Sequence, residues 1–388
     1  MRLLADNPSM DFLRREAKDL LSVLRESDDR ATLAGAQRVI AEEYGFRGWS
    51  DLKADVDRRR EAIPQAPEGL AEGLASAFGL GAVTLPMAPI RYEYMGRRWD
   101  LETERGRFVV RPVFDWIDDR QAEISVDLQE RARAAGVLSP IPVRTPDGGL
   151  VRRVLDQSWR VEEWMDLGPT PVEPVQTSVA RRVGVVVAAL HEAAPSTDRP
   201  IQGQWVSPAD RPSEEKWTEL LARGRAGGRP WVDELAALSR TIEELSAVTA
   251  DAPRDSIVIT NCDISVDAVR LGPAGELVVM HWDFAGPMVP EWELATTLFH
   301  WTQGGTNLEA ARALSAGYCE RRGQTPSLSL GSFSSAITGW LTWLLHRAWE
   351  AADPQPSEKR DFAERTLREL LHEPLTVSRL ATLLDVIG

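Results

Sequence analysis

The spacing of apolar residues changes along the chain, and each change marks a different kind of element. In SMDFLRREAKDLLSVLRES, Phe12, Leu13, Ala17, Leu20, Leu21 and Leu24 recur at helical spacing, with Ser9 placed to cap the start. LAGAQRVIAEEY continues as a second helix, the turn GFRGWS follows, and Ser50 is placed to cap a third, DLKADVDRRRE. Residues 1–61 thus predict a small helical module, too short to enclose a cleft. AIPQAPEG breaks the pattern, and a linker is expected over 62–75.

From 76 to 167 the period falls to two. PIRYEYM, WDLET and RFVVRPVF, separated by GRR and ERG, predict three consecutive antiparallel strands. A helix is expected from about Asp119 to Ala135, stopped by Gly136. A hairpin turning at TPDGG and the strand SWRVEEWM follow, and the lobe ends at a hinge, DLGPTP. From 168 to 388 the pattern is mainly helical, with one β insertion between Ile257 and Met280. The expected fold class is α+β: a small sheet lobe and a larger helical lobe behind an N-terminal helical module.

Composition narrows the function. The net charge of −14, without a basic stripe, opposes nucleic-acid binding. The two cysteines, Cys262 and Cys319, have no metal-ligand spacing, so no zinc site is expected. No uncharged run approaches the roughly 20 apolar residues of a membrane span. The first residues lack the apolar core of a secretory signal, so a soluble cytoplasmic protein is expected. The 14 tryptophans supply large buried area, for a core or a cleft.

The chemistry concentrates in ITNCDISVDAVRLGPAGELVVMHWDFAG, followed by PEWELA. With the β lobe, hinge and helical lobe around it, this stretch resembles the aminoglycoside phosphotransferase and choline kinase-like family over residues 76–388. That family's catalytic loop reads H-x-D-x-x-x-x-N, and its metal motif reads I-D-W-E/D-x-A-G-P. The resemblance implies a kinase-like fold, ATP and magnesium as cofactors, and a small-molecule hydroxyl as acceptor.

Carried over by position, the resemblance makes Asp263 the residue that orients the attacking hydroxyl and accepts its proton. Asp263 as an acceptor for backbone N–H groups is the competing structural reading. The loop His becomes Asn261, the loop Asn becomes Ala268, and the metal-bridging Asp becomes His281. A methyl cannot coordinate a cation, and imidazole is a poor magnesium ligand. Asp283 and Asp267, beside the lost ligands, are candidates for a displaced metal site. The phosphate-pairing Lys falls on Arg111, with its helix partner Asp127 by spacing or Glu123 by residue type. Arg97 and Arg98, in the turn MGRR, are candidate phosphate contacts. The hinge around Met165 is the candidate adenine seat, and Glu291, Trp292 and Trp301 are candidate substrate contacts. Cys262 and His191 read as packing residues.

Two functions follow. The leading expectation is a degenerate kinase that binds a nucleotide, small molecule or peptide between the lobes, with ATP and magnesium weak or absent. The alternative is an active phosphotransferase with Asp263 as base and the displaced metal at Asp283 and Asp267. A protein partner is a third possibility, carried by residues 9–60.

Overall fold

The computed structural model describes residues 10–387 other than 28–30, 62–63, 94–95, 173, 204 and 355–356. Helices α1 (Met10–Ser27), α2 (Leu33–Glu43) and α3 (Trp49–Glu61) pack Met10, Leu13, Ala17, Ile40, Leu52 and Val56 into a core of their own. Thr32 caps α2 by accepting the Gly35 N–H at 3.1 Å. Ser9 lies outside the described residues, and Ser50 falls inside the first turn of α3 rather than ahead of it.

The expected linker is shorter than 62–75. Helix α4 (Leu70–Ala77) buries Leu70, Leu74 and Ala75 against Trp99, Leu101 and Val110, so it belongs to the sheet lobe. That lobe is a five-stranded antiparallel sheet in the order β1-β2-β3-β5-β4. Its strands are β1 (Ala88–Glu93), β2 (Gly96–Thr103), β3 (Gly106–Val113), β4 (Arg152–Val154) and β5 (Gln157–Glu163). Between β3 and β4 runs α5 (Asp119–Ala134), capped by Asp118, whose carboxylate accepts the Gln121 N–H at 2.9 Å. The last hairpin turns at Leu155–Asp156, not at TPDGG; Leu155 takes the left-handed φ of 52° that the tight reversal needs. TPDGG is instead a loop closed by the Thr145 N–H to Gly149 carbonyl bond.

The hinge hands the chain to the helical lobe, and the Gly168 N–H bonds the Leu271 carbonyl at 2.7 Å. The lobe is built on α6 (Thr177–Ala193), which lies against α11 (Leu308–Arg322) at a crossing that two glycines make possible. A Cβ on Gly184 would stand 2.0 Å from the Leu314 carbonyl oxygen, and one on Gly317 would stand 2.0 Å from that of Arg181. Around this pair lie α7 (Glu214–Ala226), α8 (Val232–Ala237), α9 (Ser239–Ala247), α10 (Pro290–Trp301), α12 (Ser334–Ala351), α13 (Glu358–His372) and α14 (Val377–Ile387). The helical pattern of WVDELAALSRTIEELSAVTA, Trp231 to Ala250, does not form one helix but breaks at Leu238 into α8 and α9. The β insertion forms two small ladders: β6 (Val258–Thr260) with β9 (Gly286–Met288), and β7 (Val269–Leu271) with β8 (Leu277–Val279). No helix among the described residues is long and apolar enough to cross a membrane.

Candidate functional site

Strand β6 delivers residues 261–264 to the floor of the groove between the lobes. Cys262 there has a φ of 64°, a costly conformation for a non-glycine residue. The side chain of Glu293, on α10, holds it: one oxygen accepts the Cys262 N–H at 2.6 Å. The other accepts the Thr260 hydroxyl and lies 2.8 Å from His191 Nε2, whose Nδ1 is 3.0 Å from the Tyr318 hydroxyl. His191 is therefore part of a buried polar chain rather than a packing residue alone. Burial, reinforced by the Glu293 charge, pushes the Cys262 thiol well above the usual range, which disfavours the reactive thiolate.

Asn261 is fully buried and joins two segments. Its Oδ1 accepts the Asp263 N–H at 3.0 Å, and its Nδ2 donates to the His281 carbonyl at 2.5 Å. Asp263 Oδ2 in turn lies 3.1 Å from His281 Nδ1. Burial would raise the Asp263 carboxyl. The hydrogen bond and charge of His281, the charge of His300 and a hydrogen bond from Ser265 override this and hold it below its ordinary value. The backbone-accepting role considered for Asp263 is filled instead by Asn261 and Glu293. Three of the positions where this chain departs from the kinase motif thus stand together: Asn261 bridges to His281, and Ala268, completely buried, accepts the Met280 N–H through its carbonyl at 2.8 Å.

A second cluster occupies the seam between the lobes. Arg111 on β3 and Arg160 on β5 are directly opposite in register, an arrangement that repels on its own. Asp283 from the helical lobe neutralises it. Its Oδ1 accepts from Arg111 Nη2 at 3.0 Å and from Arg160 Nη1 at 2.6 Å, and its Oδ2 accepts from Arg111 Nη1. Arg111 Nε donates to Glu162 Oε1 at 3.0 Å. All four side chains are buried, and two cations balance two anions, although the second Glu162 oxygen is buried without a hydrogen-bond partner among the described residues. Burial alone would push the Asp283 carboxyl up; the two guanidinium charges and their hydrogen bonds instead hold it far below the carboxylate range.

This corrects the expected pairing of Arg111. Asp127 is exposed on α5, and Glu123 is taken by Arg144, with Arg144 Nη2 2.9 Å from Glu123 Oε2. The partners of Arg111 come from β5 and from the segment after β8. The same geometry bears on magnesium. Both Asp283 oxygens are committed to arginines, His281 turns to Asp263, and Ala268 has only a methyl. Magnesium wants several hard oxygens in octahedral array, and this set does not fit it. Among the described residues, no group of three or more His, Cys, Asp or Glu is placed to hold a metal ion.

The cleft beside this seam has a volume of about 1960 Å³, larger than the roughly 300–1,000 Å³ of a typical small-ligand pocket. Asp263, His281, Asp267 and Arg97 line it. Arg98 is 8 % exposed and turns into the lobe. Met165 is half-buried in the hinge and does not line the cleft; beside it the Arg107 guanidinium stacks 3.5 Å over the Trp164 ring. Two of the expected substrate residues are core. Trp301 is completely buried, its indole N–H donating to the Ile264 carbonyl at 2.7 Å, and Trp292 packs against Ile257, Met288 and Val289. Glu291 lies in the first turn of α10, outside the cleft lining.

The tryptophans that do line the cleft are Trp116, Trp205, Trp340 and Trp343. Trp340 and Trp343 stood in the sequence among candidates for core or pocket. Arg160, Glu162 and Trp116 were missed. The signal for the first two was present: SWRVEEW places Arg160 and Glu162 two residues apart, on the same face of a strand.

The chain belongs to the phosphotransferase enzyme family, APH, whose profile matches residues 87–327. Among solved structures it is similar to spectinomycin phosphotransferase APH(9)-Ia in complex with ADP and spectinomycin. Identity is 13 %, coverage is 83 % of this chain and 99 % of that one, and the TM-score is 0.60. It is also similar to an aminoglycoside phosphotransferase from Alicyclobacillus acidocaldarius subsp. acidocaldarius DSM 446, at 15 % identity, 83 % and 96 % coverage and a TM-score of 0.52. Amicoumacin kinase hAmiN, in complex with AMP-PNP, Ca²⁺ and Ami, aligns at 12 % identity, 82 % and 97 % coverage and a TM-score of 0.51. No curated protein matches the sequence at a significant level. At these identities the likeness to solved structures establishes the fold, and the family carries the expectation of a two-lobed phosphotransferase scaffold.

Proposed function

We propose that this protein is a degenerate member of the phosphotransferase family that acts by binding a small molecule or peptide in the interlobe cleft, without magnesium-dependent phosphoryl transfer. The observation that carries the reading is the seam cluster: the Asp283 carboxylate is held by Arg111 and Arg160. Phosphoryl transfer depends on positioning and on metal neutralising the transferred charge. Here the phosphate-pairing cation is already neutralised by a carboxylate of the chain itself. Isothermal titration of the full chain with ATP tests this. Binding that is weak or absent, and the same with and without magnesium, is expected. Tight magnesium-dependent binding overturns it.

One observation favours a second reading. Asp263 keeps the position of the catalytic base and faces the cleft, as an active small-molecule kinase requires. On that reading ATP is consumed in the presence of a hydroxylated acceptor, and Asp263→Ala abolishes the turnover. A metal site at Asp283 and Asp267 is the part the geometry opposes. A third reading has residues 9–60 serve a protein partner; the separate core of α1, α2 and α3 supports a module with a role of its own.

A further inference from the structure

We propose that Phe114, Trp116 and Phe284 form a binding subsite for a planar aromatic ring of a small-molecule ligand; this deepens the cleft-binding reading above and rests on it. Trp116 lies in the connection between β3 and α5 and is 54 % exposed, although Trp is among the largest apolar side chains available. It is not isolated. Its ring stacks on Phe114 at 5.8 Å between centroids and an interplanar angle of 16°. Phe284 joins from the helical lobe, 6.2 Å from Trp116 and 6.3 Å from Phe114. Trp116 and Phe284 line the same cleft as Asp263 and His281, and Pro89 and the partly exposed Ile90 of β1 line it too. A flat ring in this cleft gains contact with an aromatic face without displacing any side chain from the core.

The wall is also fixed in place, which separates it from a chance cluster of exposed rings. Phe284 follows Asp283, whose carboxylate is clamped by Arg111 and Arg160. Ala285, next along, accepts a hydrogen bond from Gln121 Nε2 on α5 at 2.8 Å. The backbone on both sides of Phe284 is therefore tied to the sheet lobe that carries Phe114 and Trp116. Rings held in this way are preorganised, so little ordering is needed when a ligand stacks on them. The clamp that takes the place of a metal site also presents Phe284 to Trp116.

The ring could belong to a nucleobase or to another small aromatic molecule, and the experiment separates these sources. Adenosine and quinoline are titrated separately into the full chain without magnesium, followed by ligand-observed NMR saturation transfer. Saturation of ring protons by at least one probe is expected, with binding weakened about tenfold or more by Trp116→Ala and largely retained by Trp116→Phe. An unchanged melting curve shows that the exposed substitution leaves the fold intact. Adenosine as the stronger probe assigns the seat to a nucleobase, and quinoline to another aromatic ligand; both support the subsite. Binding unaffected by Trp116→Ala but lost in Trp343→Ala puts the ring at the other end of the cleft. That overturns the subsite while leaving cleft binding intact. Saturation of neither probe overturns it as well; the degenerate-kinase reading is separate and falls only to tight magnesium-dependent ATP binding in the calorimetry above.

Discussion

Replacing Asp283 by Asn keeps the shape of the side chain and removes the one charge that the helical lobe contributes to the seam. In the wild-type protein that carboxylate accepts three hydrogen bonds from two buried guanidinium groups. Without it, Arg111 and Arg160 remain side by side with Glu162 as the remaining anion of the set, and the amide NH₂ points a donor at donors. Breaking one partner out of a buried ionic set costs about 3–5 kcal/mol. Urea unfolding at neutral pH, followed by circular dichroism, should show a loss of that size. The pH dependence gives a second signature. The folded Asp283 carboxyl lies below its unfolded value, so its contribution is present at neutral pH. It is lost as pH falls below about 4 and on through the depressed folded value. The Asn variant should lack this component of acid destabilisation. A loss under about 1 kcal/mol, with an unaltered acid limb, would refute the claim that the seam is a charge-balanced clamp.

Three further outcomes follow from the same geometry. Glu293→Ala leaves Thr260, the strained Cys262 backbone and His191 without their shared acceptor, and should lower stability by about 3 kcal/mol in denaturant titration. Gly184→Ala or Gly317→Ala drives a methyl into the facing backbone where α6 meets α11; either should cost about 3 kcal/mol or more by thermal or urea unfolding. A chain starting at residue 62 should unfold within about 1 kcal/mol of the full protein, because α1, α2 and α3 bury their apolar residues against one another; a larger loss would show the module to be part of the lobes.

The periodicity that was legible in the sequence is the kind fixed locally. Helices α1 and α5 and strands β1 to β3 were readable because one face of each is apolar and its ends carry breakers or caps. The break between α8 and α9 was not, since WVDELAALSRTIEELSAVTA keeps a helical pattern through Leu238. Helix α4 was hidden by the prolines ahead of it, which drew the linker too far. At the site, the positions Asn261, Asp263, Ala268 and His281 came from the resemblance to the family's two motifs, each of which is a contiguous run of sequence. The partners of Arg111 did not, because Glu162 and Asp283 lie 51 and 172 residues away and only the folded sheet and seam bring them together. Trp301 was misplaced for a related reason: helical spacing puts it on α10, but the packing against Ile264 decides that it faces inward.

Glu293 belongs to α10, yet its carboxylate is fastened to Thr260 and to the backbone of Cys262, one residue ahead of Asp263. The loop that presents Asp263 to the cleft cannot shift without dragging that helix along. Loop and helix are thus a single mechanical part, and a change felt at one is delivered to the other.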